Sequence, residues 1–212
     1  MTAIRFALTF DAEHPDRPGW RPGVEEALLD GLADLGVRAT FFVQGRWAEA
    51  APATARRIAV AGHLVGSHGF YHVRLPLLSD DGLGADIGQA DRTIEEIVGV
   101  SARPWFRCPF GAGADDPRVL AAIASAGYRH VGWDASGEDW RPGRSGARIA
   151  AEAASGALAH GDGAIVLLHA WPEATLEALP ELVGRLTDTG GRFVTVDQVL
   201  TGIDVGVTAS LG

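Results

Sequence analysis

The feature that most restricts the fold is a strict alternation of short apolar runs and longer stretches with helical spacing. The runs are IRFALTF (4–10), ATFFVQG (39–45), HLVGS (63–67), RPWFRCP (103–109), YRHVGWD (128–134), AIVLLHA (164–170) and RFVTV (192–196). Runs this short, bounded by Gly, Pro and Asp, read as strands. Between them, residues 24–35, 47–61, 79–98, 117–126, 145–159 and 174–187 read as helices, and a short helix is predicted from Asp197. Ser79 and Asp116 stand where N-caps are needed, and Gly36, Gly62 and Gly99 follow predicted helix ends. Such βα alternation predicts an α/β fold: a parallel sheet closed, or nearly closed, into a distorted (β/α)7-type barrel. An open, doubly wound sheet is the alternative. No Gly-rich turn follows the first strand, which weighs against a dinucleotide-binding version of that sheet.

The chain has 212 residues, 47% of them hydrophobic, enough for one domain with a sizeable core. No linker, repeat or low-complexity block interrupts it, so residues 1–212 are expected to form a single domain. The net charge of −9 argues against nucleic acid or an anionic membrane as partner. The acidic residues are scattered, as in a solubilising surface. The single cysteine, Cys108, excludes an intrachain disulfide. MTAIRFALTFDAEHP has no basic region ahead of a long apolar stretch, and no apolar run approaches the roughly 20 residues of a membrane span. A cytoplasmic protein is therefore the expectation.

In a parallel βα architecture the carboxyl ends of the strands share one face, and active sites gather there. Asp11 follows FALTF, His68 follows LVGS, and Arg107 follows RPWF. Asp134 follows HVGW with Asp139 five residues on, and His169 follows IVLL. Five strands thus deliver Asp, Arg or His to one predicted rim, which points to an active site. GSHGFYH (66–72) also sets His68 and His72 four apart. Neutral imidazoles are common ligands for zinc. The spacing fits one helical turn, and with Gly66 and Gly69 in the segment a tight loop turn serves as well.

Five blocks occur in sequence: LTFDAE, SHGFYH, FRCPFG, WDASGEDW and IVLLH. In these blocks, from ALTFD to RFVTVDQVL, the chain resembles the polysaccharide deacetylases (carbohydrate esterase family 4, the NodB homology domain). The resemblance implies a distorted barrel of parallel strands, in agreement with the alternation above. It implies metal-dependent removal of an acetyl group from an acetylated amino sugar, glycan or related small-molecule amide. The cofactor implied is a divalent metal, zinc first, with cobalt or nickel as alternatives. His68 and His72 match two of its ligands. Asp11 matches the general base, held charged and oriented by Arg107. His169 matches the acid that protonates the departing nitrogen, with Asp139 raising its pKa. Trp140 and Leu167 are expected to line the acetyl pocket, and Pro109 and Phe110 to shape its wall. Trp20 and Trp171 lie on rim loops, where stacking on a sugar ring and ordinary packing are both open.

The sequence departs from the family's pattern in three places. Where most members have a second, metal-binding Asp after the first, this chain has Ala12, and a methyl group binds no metal. Glu13 is the nearest replacement, because residues two apart in extended backbone face the same side. Asp11 itself, His14, or no metal at all remain open, and on the Glu13 reading an Asp at position 12 is expected to be tolerated. Gly69 replaces a Ser or Thr, which costs a hydroxyl but no ligand. Ser136 replaces an Asp, while Asp139 and Trp140 are intact. Two other readings stay open: a metal-independent amidohydrolase cutting a cyclic imide or ureide C–N bond, and a non-catalytic glycan-binding barrel. Cys108 reads as a small buried hydrophobe rather than a nucleophile.

Overall fold

The structure, a computed structural model, describes residues 3–14 and 21–201; Trp20 and the tail from 202 lie outside them. The strands are β1 (Arg5–Ala12), β2 (Thr40–Val43), β3 (Leu64–Ser67), β4 (Trp105–Phe106), β5 (Arg129–His130), β6 (Ala135–Ser136), β7 (Ala164–His169) and β8 (Arg192–Phe193). The helices are α1 (Val24–Asp34), α2 (Gly45–Ala50), α3 (Pro52–Val60), α4 (Asp80–Val98), α5 (Pro117–Ser125), α6 (Gly146–His160), α7 (Glu173–Thr187) and α8 (Val196–Leu200). All strand pairs are parallel, in the order β5-β4-β3-β2-β1-β7-β6, and β8 pairs with the start of β1. The sheet is a half-barrel wrapped by helices.

The strands are apolar on both faces because both faces are covered. From β1, Phe6, Leu8, Phe10 and Ala12 enter the core shared with the helices. Ala7 joins a second cluster with Phe42, Trp105, Val131, Ile165, Val194, Val196 and Val199. This second cluster fills the barrel interior, with α8 as its plug. Each fully buried Leu, Ile or Phe in these cores contributes about 1.5–3 kcal/mol. The period of two along β1 then carries Thr9, Asp11 and Glu13 onto the inner face, above the plug.

Two predicted elements come out differently. The strand read over 128–134 splits in two: β5 pairs with β4 at one edge of the sheet, and β6 pairs with β7 at the other. Residues 131–134 cross the seam between these edges, so the barrel is not closed. The carbonyls of Val131 and Gly132 in the seam accept from Arg107 Nε and Nη2, at 3.3 and 3.0 Å. Buried carbonyls need a donor, and where the ladder is missing the guanidinium supplies it. Asp134, read as a rim residue, is corrected for the same reason. Its Oδ2 accepts from Ile165 N at 2.8 Å and Oδ1 faces His160 Nδ1 at 3.4 Å, near the amino end of β7 and away from His169.

The helix read over 47–61 breaks at Ala51, which takes φ −127° and ψ 55°. Pro52 disfavours helical backbone before it and then starts α3 at its first position. The predicted caps form: Ser79 Oγ accepts from Gly82 N at 3.1 Å, and Asp116 Oδ1 from Arg118 N at 2.9 Å. No helix among the described residues is long and apolar enough to cross a membrane.

Candidate active site

At the carboxyl ends of the strands the structure gathers Asp11, Glu13, His68, His72, Arg107, Asp139 and His169, each 8% exposed or less. The cleft above them, about 290 Å³, is also lined by His14, Arg74, Cys108, Phe110, Gly111, Trp133, Trp140 and Leu167.

Asp11 ends the inner face of β1. Its Oδ1 accepts from Arg107 Nη1 at 2.9 Å, and its Oδ2 lies 3.5 Å from His68 Nε2. Arg107 is fully buried. Its Nη1 also donates to Thr9 Oγ1 at 2.8 Å, and its guanidinium carbon sits 4.0 Å from the Phe42 ring centroid. With the two seam carbonyls already described, this guanidinium has one orientation, and so has the Asp11 carboxylate it holds.

On the opposite side stands His169, at the end of β7. Its Nδ1 is 2.8 Å from Asp139 Oδ1. Asp139 Oδ2 accepts from His169 N at 2.7 Å and Thr175 Oγ1 at 2.6 Å. Burial alone would depress the His169 pKa, but the charge and hydrogen bond of Asp139 outweigh it, with Glu13 and Asp11 adding, and raise it to about 9. The imidazolium turns its Nε2–H into the cleft, 3.8 Å from Glu13 Oε1.

Glu13 is ringed by histidines. Oε2 is 3.1 Å from His68 Nε2 and 2.5 Å from His72 Nε2, while Oε1 is 3.2 Å from His14 Nε2. Burial would raise this carboxyl, but the bonds from His14, His68 and His72 hold it well below the usual carboxylate range. Asp11 has Arg107 and Asp139 has His169, whereas Glu13 faces only imidazoles.

The tautomer of His68 decides whether a metal fits. Its Nδ1 is 2.9 Å from the Arg107 carbonyl oxygen, which can only accept, so Nδ1 carries the hydrogen. Nε2 faces carboxylate oxygens of Glu13 and Asp11, at 3.1 and 3.5 Å, so a positive charge is called for between them: a proton on Nε2, or a metal ion in that proton's place. Burial opposes charge on His68, but Asp11 and Glu13 outweigh it and raise its pKa; an ion bound there would replace the Nε2 proton. Burial also pulls His72 below its ordinary value, with the Glu13 hydrogen bond opposing. Ligand atoms of Glu13, His68 and His72 all lie within 4.8 Å of one another, all three residues buried. Two imidazole nitrogens and one carboxylate oxygen suit a divalent ion such as zinc with positions left open. Asp11, Glu13 and His169 form a second set within the same limit, but the Asp139-bound His169 keeps its proton where a ligand needs a lone pair.

The His68–His72 segment is a loop, not a helical turn. Phe70 N and Tyr71 N donate to the two oxygens of Asp86, each at 3.0 Å. Gly69 has φ +69°, and a Cβ there would lie 2.7 Å from Asp86 Oδ2. The glycine is thus demanded by this brace rather than being a lost hydroxyl. Asp86 escaped notice in the sequence; the signal was a carboxylate within the apolar stripe Leu83, Ile87, Ala90 and Ile94 of α4. Of the four non-glycine residues with positive φ among the described residues, His14, His72 and Phe110 line this cleft, and Glu138 directly precedes Asp139. Such backbone costs on the order of 1 kcal/mol each and persists where surrounding bonds impose it.

Two further expectations are corrected. Ala12 is fully buried on the outer face of β1, so an Asp there would bury a carboxylate in the core instead of reaching the cleft. Pro109 is buried, starts a short turn and does not line the cleft; of the pair only Phe110, at φ 58° and 53% exposed, does. Trp133 and Arg74 belong to the lining and were not read from the sequence. Cys108 lies at the cleft, where burial pushes its thiol up to about 12, so no thiolate is available for attack.

A parallel half-barrel with a clamped carboxylate, a carboxylate-backed imidazolium and a metal-ready triad on one rim defines a hydrolase. The polysaccharide deacetylase family model matches residues 2–131. A solved T48 deacetylase with substrate is 34% identical, covers 95% of this chain and 93% of its own, and superposes with TM-score 0.80. A family 4 carbohydrate esterase from Streptomyces lividans in complex with acetate is 28% identical, with 91% of each chain covered and TM-score 0.77. The peptidoglycan-N-acetylmuramic acid deacetylase of Bacillus subtilis is 28% identical over 91% of this chain and 70% of its own length. The chain belongs to the polysaccharide deacetylase family.

Proposed function

We propose that the chain is a divalent-metal-dependent deacetylase that hydrolyses the acetamide of an N-acetylated amino sugar. The observation that carries this reading is Glu13 Oε2 set against both His68 Nε2 and His72 Nε2, with His68 Nδ1 committed to a carbonyl. Glu13, His68 and His72 would hold the ion. When bound, a divalent ion, zinc foremost, lowers the pKa of a water and draws charge from an acetyl carbonyl oxygen.

The rest of the chemistry belongs to this chain's own side chains. Asp11 takes a proton from the attacking water, and Arg107 keeps that carboxylate aimed. His169 gives its Nε2 proton to the departing nitrogen, which leaves as an amine only when protonated. Asp139 holds Nδ1 and so keeps the ring charged before transfer. Leu167 and Trp140 offer an apolar pocket for the acetyl methyl, and Phe110 offers a face to a sugar ring. Trp140 also borders a second depression lined by Trp171, Pro142 and Arg144. Room on both sides of Trp140 favours a substrate larger than one acetamide, as the amino-sugar names of the relatives do.

The test is acetate release from N-acetylglucosamine oligomers. Chelation is expected to abolish release, and added zinc or cobalt to restore it. Full activity in protein shown to be metal-free would overturn the reading.

A further inference from the structure

The two oxygens of Glu13 are not equivalent. Oε2 faces the His68 and His72 pair at 3.1 and 2.5 Å, whereas Oε1 faces His14 Nε2 at 3.2 Å and His169 Nε2 at 3.8 Å. A carboxylate free to rotate would offer either oxygen, or both, to an ion between His68 and His72. Something must fix the split, and His14 is placed to do so. β1 ends at Ala12, and Gln44 ties the chain on either side of Glu13: its N donates to Ala12 O at 3.0 Å, and its Oε1 accepts from His14 N at 2.9 Å. Gln44 is itself buried, 3% exposed. His14 takes φ 59°, a left-handed turn rare for a residue with a side chain. That turn brings its ring against the His72 ring, centroids 4.2 Å apart and planes at 75°, with Nε2 directed at Glu13 Oε1. Either a neutral ring with its hydrogen on Nε2 or an imidazolium donates this bond, so the arrangement does not depend on the charge of His14. His14 is absent from both sets of potential ligands whose atoms lie within 4.8 Å of one another, which separates it from the ion site itself.

We infer that His14 is a positioning residue that splits the Glu13 carboxylate, holding Oε1 so that Oε2 alone is presented to an ion between His68 and His72. The inference rests on the metal reading above. It also explains how a glutamate can serve where the chain has Ala12. Glu is one methylene longer than Asp and has an extra rotatable bond, and the His14 bond removes that freedom. A one-oxygen contact leaves more positions on the ion for water and a substrate carbonyl than a two-oxygen contact does.

Cobalt reports on both affinity and coordination. Wild type, His14→Ala and His14→Gln are titrated with Co(II) against a chromophoric chelator, and the visible ligand-field band of each complex is recorded. His14→Ala should bind Co(II) on the order of 10–100-fold more weakly. Its band should lose intensity as Oε1 joins the ion and the coordination number rises. His14→Gln, which keeps an N–H donor, should recover much of both. Wild-type affinity and an unchanged band in His14→Ala would overturn the inference while leaving the metal site in place. Equal weakening in both variants with an unchanged band would also overturn it, since a merely structural loss behaves that way. A wild type that takes up no Co(II) would instead overturn the metal reading, and this inference with it.

Discussion

His169 and His68 are both buried imidazoles near the ends of parallel strands, yet each has a different partner behind its ring. Nδ1 of His169 meets the Asp139 carboxylate at 2.8 Å; Nδ1 of His68 meets a backbone carbonyl at 2.9 Å. A carboxylate behind the ring stabilises the imidazolium and leaves Nε2 with a proton to give. A carbonyl fixes the Nδ1 hydrogen without adding a negative charge, so a proton on Nε2 can give way to an ion. On the proposed reading, one residue type serves as an acid on one side of Glu13 and as a ligand on the other, and the charge behind the ring is what favours the acid.

The comparison breaks most severely if the acid is not an acid. His169→Ala should cost an acetamide substrate about 10²–10⁴-fold in kcat/KM, the usual span for general acid catalysis. An aryl acetate should suffer much less, because an aryloxide leaves unaided. Asp11→Asn should damage both substrates about equally, since both need an activated water. Equal losses on amide and aryl ester in His169→Ala would make it a binding or oxyanion residue instead.

A smaller effect tests the atom behind the ring. His169 acts protonated, so kcat/KM should fall as pH rises through its raised pKa, about 9. Asp139→Asn removes the charge that raises it, and the alkaline limb should move down by about 1–3 pH units. A limb that stays in place would uncouple Asp139 from His169.

The smallest effect comes from a third kind of partner. His63 Nδ1 accepts from the Ala39 N–H at 3.1 Å, and burial, with Arg38 adding, lowers its pKa to about 4. Its native contribution is complete above the unfolded value of about 6.5 and is lost as pH falls toward 4. Within that window one such group gives a slope of up to about 1.4 kcal/mol per pH unit. Denaturant titrations should show this slope flattened in His63→Gln, which keeps an acceptor. An unchanged slope would mean that other groups carry the acid sensitivity.

The sequence made the rim legible because β1 and β7 are long apolar runs ending in Asp11 and His169, and a parallel sheet brings such ends together. Glu13 was readable from the period of two, which the structure keeps past the end of β1. The seam at 131–134 was not readable. Val131 and Trp133 continue the apolar character of the run before them, and the donor that serves the seam's carbonyls, Arg107, is more than 20 residues away. Asp134 was misplaced for that reason alone. The break at Ala51 was signalled by Pro52. His14 as a brace on Glu13 could not be read, because a left-handed residue and a glutamine 30 positions away create it together.

The most direct test is the metal content of protein purified without chelator, in wild type, Glu13→Ala and Asp11→Asn. The account predicts about one divalent ion per wild-type chain, an ion retained in Asp11→Asn, and its loss together with amide hydrolysis in Glu13→Ala. Glu13→Ala binding metal with wild-type affinity, or a wild type that hydrolyses the amide with no ion bound, would contradict it.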